Sequence, residues 1–170
     1  MRICRGSLKG RSIKIPKFEG LRVTETKVRQ ALWSILEKYP KGSFLDLFSG
    51  SGIVAMEAYS VGFTPVEAVE IEKKLCENIK KLVESFEIYI KVYRDDVINF
   101  LKKTKKQYDF IYLDPPYDFP KIATSLTLSL KILSKEGVLI LENIPDFKYH
   151  IEPFKIYRYG KTNLYFFKNP

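Results

Sequence analysis

Histidine and cysteine are scarce in this sequence, which excludes most zinc and triad chemistry. His150 is the only histidine among 170 residues, too few for a two-histidine zinc site. A catalytic triad would have to use that single imidazole. The two cysteines, Cys4 and Cys76, lie far apart and show no metal-type spacing. We therefore predict a metal-free protein in a reduced, cytoplasmic setting, whose chemistry depends on carboxylates, backbone groups and aromatic side chains.

Long apolar runs are also missing. No stretch approaches the roughly 20 apolar residues that a membrane-spanning helix requires. Residues 1–11 are charged and lack the apolar segment of a secretory signal. The length and the 45% hydrophobic content are typical of one globular domain. We expect a single domain over residues 1–170, a monomer, with no membrane partner.

Acidic residues are sparse in the first quarter of the chain. Residues 1–42 contain eleven Lys and Arg but only three acidic residues, and so hold +8 of the net charge of +9. This asymmetry favours a polyanionic partner over a merely solvated basic surface. The candidate nucleic-acid contacts are Arg2, Arg5, Lys9, Arg11, Lys14, Arg22 and Arg29.

Residues 1–42 are predicted to form a basic N-terminal arm and a helix, appended to a core over residues 43–170. Within the first twenty residues, the pattern indicates a small β-hairpin or an extended arm, which ends at Pro16. Thr24 then opens a helical pattern, which residues 40–42 close.

From residue 43 onward, strand and helix patterns alternate. Strands are predicted at 43–48, 65–70, 88–93, 108–113 and 138–142, and a closing hairpin at 151–158 and 163–168. Helices are predicted after the first strand through residue 59, then at 73–86, 97–103 and about 121–133. The alternation predicts a doubly wound α/β sheet with helices on both faces. Ligands bind such sheets at the carboxyl ends of the strands, near the switch in strand order.

The first strand leads into a glycine turn. Gly50 and Gly52 permit positive φ and close approach of a ligand to the backbone. The third glycine of a dinucleotide fingerprint is absent, because position 55 is Ala55, and a purely structural turn is the alternative. Asp46, two residues before Phe48, places an acid beneath the loop and favours a ligand that carries an ammonium group.

Carboxylates also follow the second and third strands. Glu70, about twenty residues after the glycines, is placed to accept both hydroxyls of a ribose, whereas Glu72 is interpreted as a helix-start charge. Asp95 and Asp96 follow the third strand. We expect one of them to accept from an adenine amino group and the other to cap the next helix, and we prefer Asp96 for the adenine.

The fourth strand ends in the tetrapeptide Asp114-Pro115-Pro116-Tyr117. Two prolines fix the backbone and remove two amide donors, which leaves carbonyl oxygens free to accept. A carboxylate beside a rigid carbonyl can receive both hydrogens of an –NH2 group, and Tyr117 offers a face on which a nucleobase can stack. A structural Pro-Pro turn is the alternative.

Taken together, these motifs resemble a known family. Residues 45–52 look like the cofactor loop of class I methyltransferases, and residues 114–117 look like the D-P-P-Y motif of amino methyltransferases. With residues 21–24 and 28–32, and the opening residues 2–3 and 10–13, essentially the whole chain resembles the RsmD family, bacterial enzymes that methylate guanine N2 in 16S ribosomal RNA.

The resemblance implies a fold, a cofactor and a partner. The fold is a mostly parallel, seven-stranded class I methyltransferase sheet with an antiparallel C-terminal hairpin. The cofactor is S-adenosylmethionine, and the partner is 16S ribosomal RNA or the assembling small subunit. The expected cofactor contacts are Thr24, Asp46, Phe48, Gly50, Gly52, Glu70 and Asp96, and the expected catalytic residues are Asp114, Pro115, Pro116 and Tyr117.

Two other functions fit the motifs. A DNA adenine-N6 or cytosine-N4 methyltransferase uses the same D-P-P-Y chemistry, but such enzymes usually carry a recognition module for which this chain has no room. A non-catalytic RNA-binding protein on the same fold is the second alternative, which the intact tetrapeptide and cofactor loop disfavour. Methyl-transfer assays with DNA and with ribosomal RNA distinguish a DNA methyltransferase from an RNA methyltransferase. Calorimetry with S-adenosylmethionine tests whether the protein binds the cofactor, which a non-catalytic RNA-binding protein need not do.

Overall fold

The computed structural model describes residues 1–145 and 150–169, which form five helices and seven strands. The helices are α1 Thr26–Leu36, α2 Ile53–Ser60, α3 Lys73–Ser85, α4 Val97–Lys103 and α5 Ile122–Lys131. The strands are β1 Phe44–Leu47, β2 Val66–Glu70, β3 Lys91–Arg94, β4 Tyr108–Leu113, β5 Leu133–Asn143, β6 Lys155–Tyr159 and β7 Thr162–Lys168. Among the described residues, no helix has the length and apolarity needed to cross a membrane.

All seven strands form one sheet in the order β3-β2-β1-β4-β5-β7-β6. The first five strands pair in parallel, while β7 pairs antiparallel with both β5 and β6. The predicted α/β sheet with its antiparallel C-terminal hairpin is confirmed. The strand order reverses between β1 and β4, which therefore form the switch point of the sheet.

Buried apolar side chains cover both faces of the sheet. One cluster joins β1, β2 and β4 to α1, α2 and the N-terminal segment, residues 1–15. The other cluster packs α4 and α5 against the opposite face, beneath β4, β5 and β7. The central strands β1 and β2 are buried along their whole length, as expected for strands covered by helices on both sides.

The N-terminal segment is a packed part of the fold. Ile3, Leu8 and Ile13 are buried in the first cluster, and Arg2 and Ser12 form an antiparallel bridge. The loop docks on the end of α2, where Ser60 Oγ accepts from the Leu8 amide at 2.8 Å. Gly6, at φ +82°, is required at this contact, because a Cβ there would lie 2.0 Å from the Ser60 carbonyl oxygen.

A buried ion pair fixes α1 to α2. The guanidinium of Arg29 pairs with Glu57, and the side chains of both residues are almost fully buried. The second carboxylate oxygen of Glu57 accepts from Trp33 Nε1 at 2.6 Å, and its first also accepts from the Cys4 amide at 2.8 Å. One carboxylate therefore binds α1, α2 and the N-terminal segment together.

Several predicted boundaries differ from the structure. Thr24 was predicted to open the first helix, but α1 begins at Thr26. Thr24 lies before the helix, and its hydroxyl donates to Asp114, which follows β4. The third strand is Lys91–Arg94 rather than 88–93, because residues 87 and 88 close α3: Glu87 has φ +54°, and the Ile88 amide bonds to the Val83 carbonyl.

The last three strands also differ from their predicted ranges. β5 begins at Leu133 instead of 138, so residues 135–137, which fall between the predicted helix and strand, lie within it, next to a register shift against Tyr108 and Phe110. The hairpin strand β6 begins at Lys155 instead of 151, and β7 begins at Thr162 instead of 163. A short turn-like sequence can therefore indicate a bulge within a long strand as well as a loop between two elements.

The contacts of Glu57 predict that two Glu→Gln substitutions lower the free energy of unfolding by very different amounts. Glu57→Gln leaves the Arg29 charge buried without its partner, and we expect it to lower the free energy of unfolding by about 3–5 kcal/mol. Glu37 pairs with Arg5 at 2.8 Å with both side chains exposed to solvent. Glu37→Gln should therefore cost less than about 1 kcal/mol. Urea denaturation measures both, and equal losses would contradict the role given to Glu57.

Candidate active site

A cleft opens at the carboxyl ends of the parallel strands. It extends from the tip of β2 to the tip of β4, and Phe48, Gly50, Glu70, Asp114 and Pro116 are among its lining residues. A smaller cavity continues beneath it, past Thr24, Asp46 and Tyr112. The parallel pairing explains the arrangement: Leu47 of β1 is in register with Val69 of β2 and Leu113 of β4. The loops after all three strands therefore emerge side by side.

Asp46 holds the glycine turn from below. Its Oδ2 accepts from Ser49 Oγ at 2.6 Å and from the Ala55 amide at 3.1 Å. Burial raises the pKa of Asp46 to about 7, although these two hydrogen bonds oppose the shift. Asp46 lines the smaller cavity, so it both orders the loop and presents its carboxyl group beneath it.

The two glycines of the turn have different roles. Gly50, at φ +52°, lines the cleft, and its amide donates to Glu70 Oε2 at 2.7 Å. Gly52 was expected to let a ligand approach, but a Cβ there would lie 2.7 Å from Ile79 Cγ1. The glycine at position 52 therefore permits α2 to pack against α3. Phe48 also has positive φ, and its ring packs edge-on against Phe119 at 5.0 Å between centroids.

Glu70 connects the turn to the next strand tip. While Oε2 accepts from Gly50, Oε1 accepts from the Glu72 amide at 2.9 Å. Each carboxylate oxygen has a second lone pair, so the side chain keeps acceptor capacity toward the cleft that it lines. Glu72 directly precedes α3, in agreement with its interpretation as a helix-start charge.

Asp95 and Asp96 stand at the tip of β3. Asp96 is the N-cap of α4, because its Oδ1 accepts from the Asn99 amide at 3.0 Å. Asp95 accepts from the Asp96 amide at 2.9 Å and lies 3.6 Å from Lys103 Nζ. The capping role thus falls to Asp96, the residue preferred for the adenine. Asp96 still has free lone pairs that could accept from an adenine amino group, and Asp95 is the other acceptor at this tip.

Asp114 is the buried carboxylate at the tip of β4. Its side chain is only 14% exposed; Oδ1 lies 3.4 Å from Arg22 Nη2, and Oδ2 accepts from Thr24 Oγ1 at 3.5 Å. Burial raises the pKa of Asp114 well above its usual range, the charge of Glu142 adds to the shift, and the Arg22 guanidinium opposes it. Asp114 therefore binds a proton more tightly than an ordinary aspartate does.

The rest of the tetrapeptide surrounds this carboxylate. Pro115 is buried, whereas Pro116 and Tyr117 are exposed, and Tyr117 presents 40% of its surface to solvent. The Arg22 guanidinium lies over the Tyr117 ring, 3.5 Å from the centroid. Arg22, predicted only as an RNA contact, thus lies at the centre of the site.

Two further residues at this site were not predicted. Glu142, near the end of β5, is buried and accepts a hydrogen bond from the Tyr112 hydroxyl. Burial raises the pKa of both groups, and the Glu142 charge is the second cause for Tyr112. The rule that ligands bind at strand tips points to Glu142 as directly as to Asp114, because β5 is the parallel neighbour of β4.

The structure separates the candidate RNA contacts into two groups. Arg2, Lys9, Arg11, Lys14 and Arg22 are exposed, and Arg5 is partly exposed beside Glu37. Arg29 is 1% exposed, and its guanidinium donates hydrogen bonds to Glu57, Thr24 and Thr26. RNA therefore cannot reach it. The prediction of Arg29 as an RNA contact is therefore wrong. Its position within the helical pattern of α1 was visible in the sequence, but its buried partner was not.

Among the described residues, no group of three or more His, Cys, Asp or Glu side chains is arranged to hold a metal ion. The carboxylates of the site are instead distributed over the tips of several neighbouring strands. This spacing fits organic ligands with separate polar groups, because Glu70 lines one end of the cleft and Asp114 the other.

Comparison with known proteins agrees with this geometry. The family described as conserved hypothetical protein 95 matches residues 1–168. Ribosomal RNA small subunit methyltransferase D of Buchnera aphidicola is 36% identical over 145 residues, which are 82% of this chain and 76% of the relative. A solved structure of a hypothetical protein from Thermus thermophilus has a TM-score of 0.87 at 26% identity and covers 99% of both chains.

A more distant structure shares the fold. It contains a protein in complex with SAH, has a TM-score of 0.65 at 17% identity, and covers 82% of this chain and 48% of the other. The fold predicted from the sequence, that of the class I S-adenosylmethionine-dependent methyltransferases, is confirmed. The match over residues 1–168 and the identity to methyltransferase D establish that the chain belongs to the RsmD family of methyltransferases.

Proposed function

We propose that this chain transfers a methyl group from S-adenosylmethionine to the exocyclic N2 amino group of a guanine in 16S ribosomal RNA. The observation that carries the proposal is the position of Asp114, the first residue of the Asp114-Pro115 corner, which lines the same cleft as Gly50 and Glu70. The corner offers acceptors for an amino group, and the cleft offers a place for the methyl donor. Relatives named ribosomal RNA small subunit methyltransferase D support the RNA substrate.

The cleft and the smaller cavity offer acceptors that suit S-adenosylmethionine, Glu70 in the first and Asp46 in the second. Glu70 would accept from the ribose hydroxyls, and an acceptor of the Asp95-Asp96 pair would receive the adenine amino group. The smaller cavity beneath Gly50, bordered by Asp46 and Thr24, would receive the methionine end with its ammonium group. When bound, this cofactor supplies an electrophilic methyl group on its sulfonium.

The remaining task of the protein is to activate a poor nucleophile. The amine of guanine is weakly nucleophilic because its lone pair is delocalised into the ring. Hydrogen bonds to the Asp114 carboxylate and the Pro115 carbonyl would hold this nitrogen in line with the donor and stabilise the positive charge that develops on it. Since burial raises the pKa of Asp114, this carboxylate is also suited to accept the proton that the methylated amine releases.

The target guanine has to leave its stack to reach the corner. Tyr117, exposed at the rim, would stack on the flipped nucleobase, and Pro116 would border it. The exposed cations of the N-terminal segment would bind the RNA backbone on either side. Both naked 16S RNA and the assembling small subunit present such a backbone.

Removal of the Asp114 carboxylate tests the catalytic proposal. Asp114→Ala should lower the rate of methyl transfer to small ribosomal subunits by at least about 100-fold, because one acceptor of the reacting amine is lost. Calorimetric binding of S-adenosylmethionine should persist, since Glu70 and the glycine turn are unchanged. Asp118→Ala, an exposed aspartate four residues on, is the matched control and should leave the rate unaltered. A fully active Asp114→Ala protein would refute the proposed role.

Charge reversal in the N-terminal segment tests the RNA contacts. Lys9 and Lys14 are exposed and have no ion-pair partner among residues 1–145 and 150–169. The double variant Lys9→Glu/Lys14→Glu should weaken RNA binding and reduce the slope of log K against log salt by about 1 per lysine.

The matched control reverses two exposed lysines on the opposite face of the sheet, Lys102 in α4 and Lys131 in α5. Lys102→Glu/Lys131→Glu changes the net charge equally and should leave the salt slope nearly unchanged. Equal effects of the two double variants would show that only net charge matters, and would contradict a defined RNA surface on the N-terminal segment.

A further inference from the structure

Arg22 occupies both positions that the proposed function assigns to the target nucleobase. Its Nη2 lies 3.4 Å from Asp114 Oδ1, where the amino group of the guanine would be held. Its guanidinium carbon lies over the Tyr117 ring, 3.5 Å from the centroid, where the nucleobase would stack. A guanine therefore cannot bind at the corner in this orientation until the Arg22 side chain has moved.

We propose that Arg22 closes the corner in the free protein and, when RNA binds, moves to a backbone phosphate beside the flipped nucleotide. The exchange makes occupancy of the corner depend on a phosphate, so the site accepts a nucleotide within RNA and rejects a free nucleoside. This inference rests on the proposed function and adds a specificity-determining residue to it.

The contacts that hold Arg22 are suited to exchange. Its side chain is 36% exposed, and its single contact with Asp114 is long for an ion pair. Ion pairs and cation–π contacts at exposed positions are weak and are screened by solvent. A phosphate offers a guanidinium two parallel hydrogen bonds, which is a better arrangement than the one observed.

The surroundings of Arg22 leave its side chain access to solvent. Arg22 is exposed and belongs to residues 14–25, which lie outside every described helix and strand. Leu21 and Phe18 line the same cleft, so the whole segment borders the place where the ligands meet. Only the side chain has to rotate to expose Tyr117 and Asp114.

Departure of Arg22 also changes the electrostatics of the corner. The guanidinium is the cation that opposes the raised pKa of Asp114. When it leaves for a phosphate, the pKa of Asp114 rises further, and the carboxylate becomes a stronger base for the proton that the methylated amine releases. RNA binding would thus open the corner and activate Asp114 in the same movement.

Two substrates separate this proposal from simpler roles of Arg22. Arg22→Ala should weaken binding to small-subunit RNA about tenfold, the cost of one charge-assisted contact. The same variant should methylate free guanosine faster than the wild-type protein does, by at least about fivefold, because the corner is open and no phosphate is needed. Arg22→Lys keeps the charge but loses the planar stack, and should show both effects in weaker form.

The control is Lys91→Ala, which removes another cation that lies over a tyrosine ring, 4.8 Å from Tyr93. It should change neither RNA binding nor guanosine methylation. For Arg22→Ala, weaker RNA binding with unchanged or lower guanosine methylation would overturn the gating role. Faster guanosine methylation with unchanged RNA binding would overturn the phosphate contact. If the wild-type protein methylates no RNA at all, the proposed function itself fails, which is a distinguishable result.

Discussion

Parallel pairing of the central strands is the constraint on which the site depends. Because β1 is in register with both β2 and β4, the loops that follow these strands emerge at one edge within hydrogen-bonding distance. The Ser49 amide bonds to the Val69 carbonyl, and the Asp114 amide bonds to the Leu47 carbonyl. Three short loops thereby form one cleft with a carboxylate at either end.

The basic N-terminal quarter serves this cleft in two ways. Apolar residues of the N-terminal segment are buried beside α2, and the Arg29–Glu57 pair fixes α1 there, so the segment and α1 are both anchored against the sheet. From that anchor, Thr24 and Arg22 extend to Asp114, while Arg2, Lys9 and Lys14 are exposed to solvent. A segment predicted to be an appended arm is thus also part of the active-site wall.

The sequence predicted the order of elements, the sheet class and the strand-tip carboxylates Glu70 and Asp114, because these follow from local periodicity and from the rule for α/β sheets. It did not predict contacts between distant residues. The burial of Arg29 requires Glu57, the packing role of Gly52 requires Ile79, and the position of Arg22 requires Tyr117. Each of these pairings depends on tertiary packing, which no local pattern encodes.

The central claim is that the corner after β4 grips an exocyclic amino group. Identification of the methylated nucleoside tests this most directly. Small ribosomal subunits lacking the modification are incubated with the protein and isotopically labelled S-adenosylmethionine, and the RNA is digested to nucleosides for mass spectrometry. The geometry of Asp114 and Pro115 predicts the label on the exocyclic nitrogen of N2-methylguanosine. Label on a ring carbon, a ring nitrogen or a ribose oxygen would contradict it.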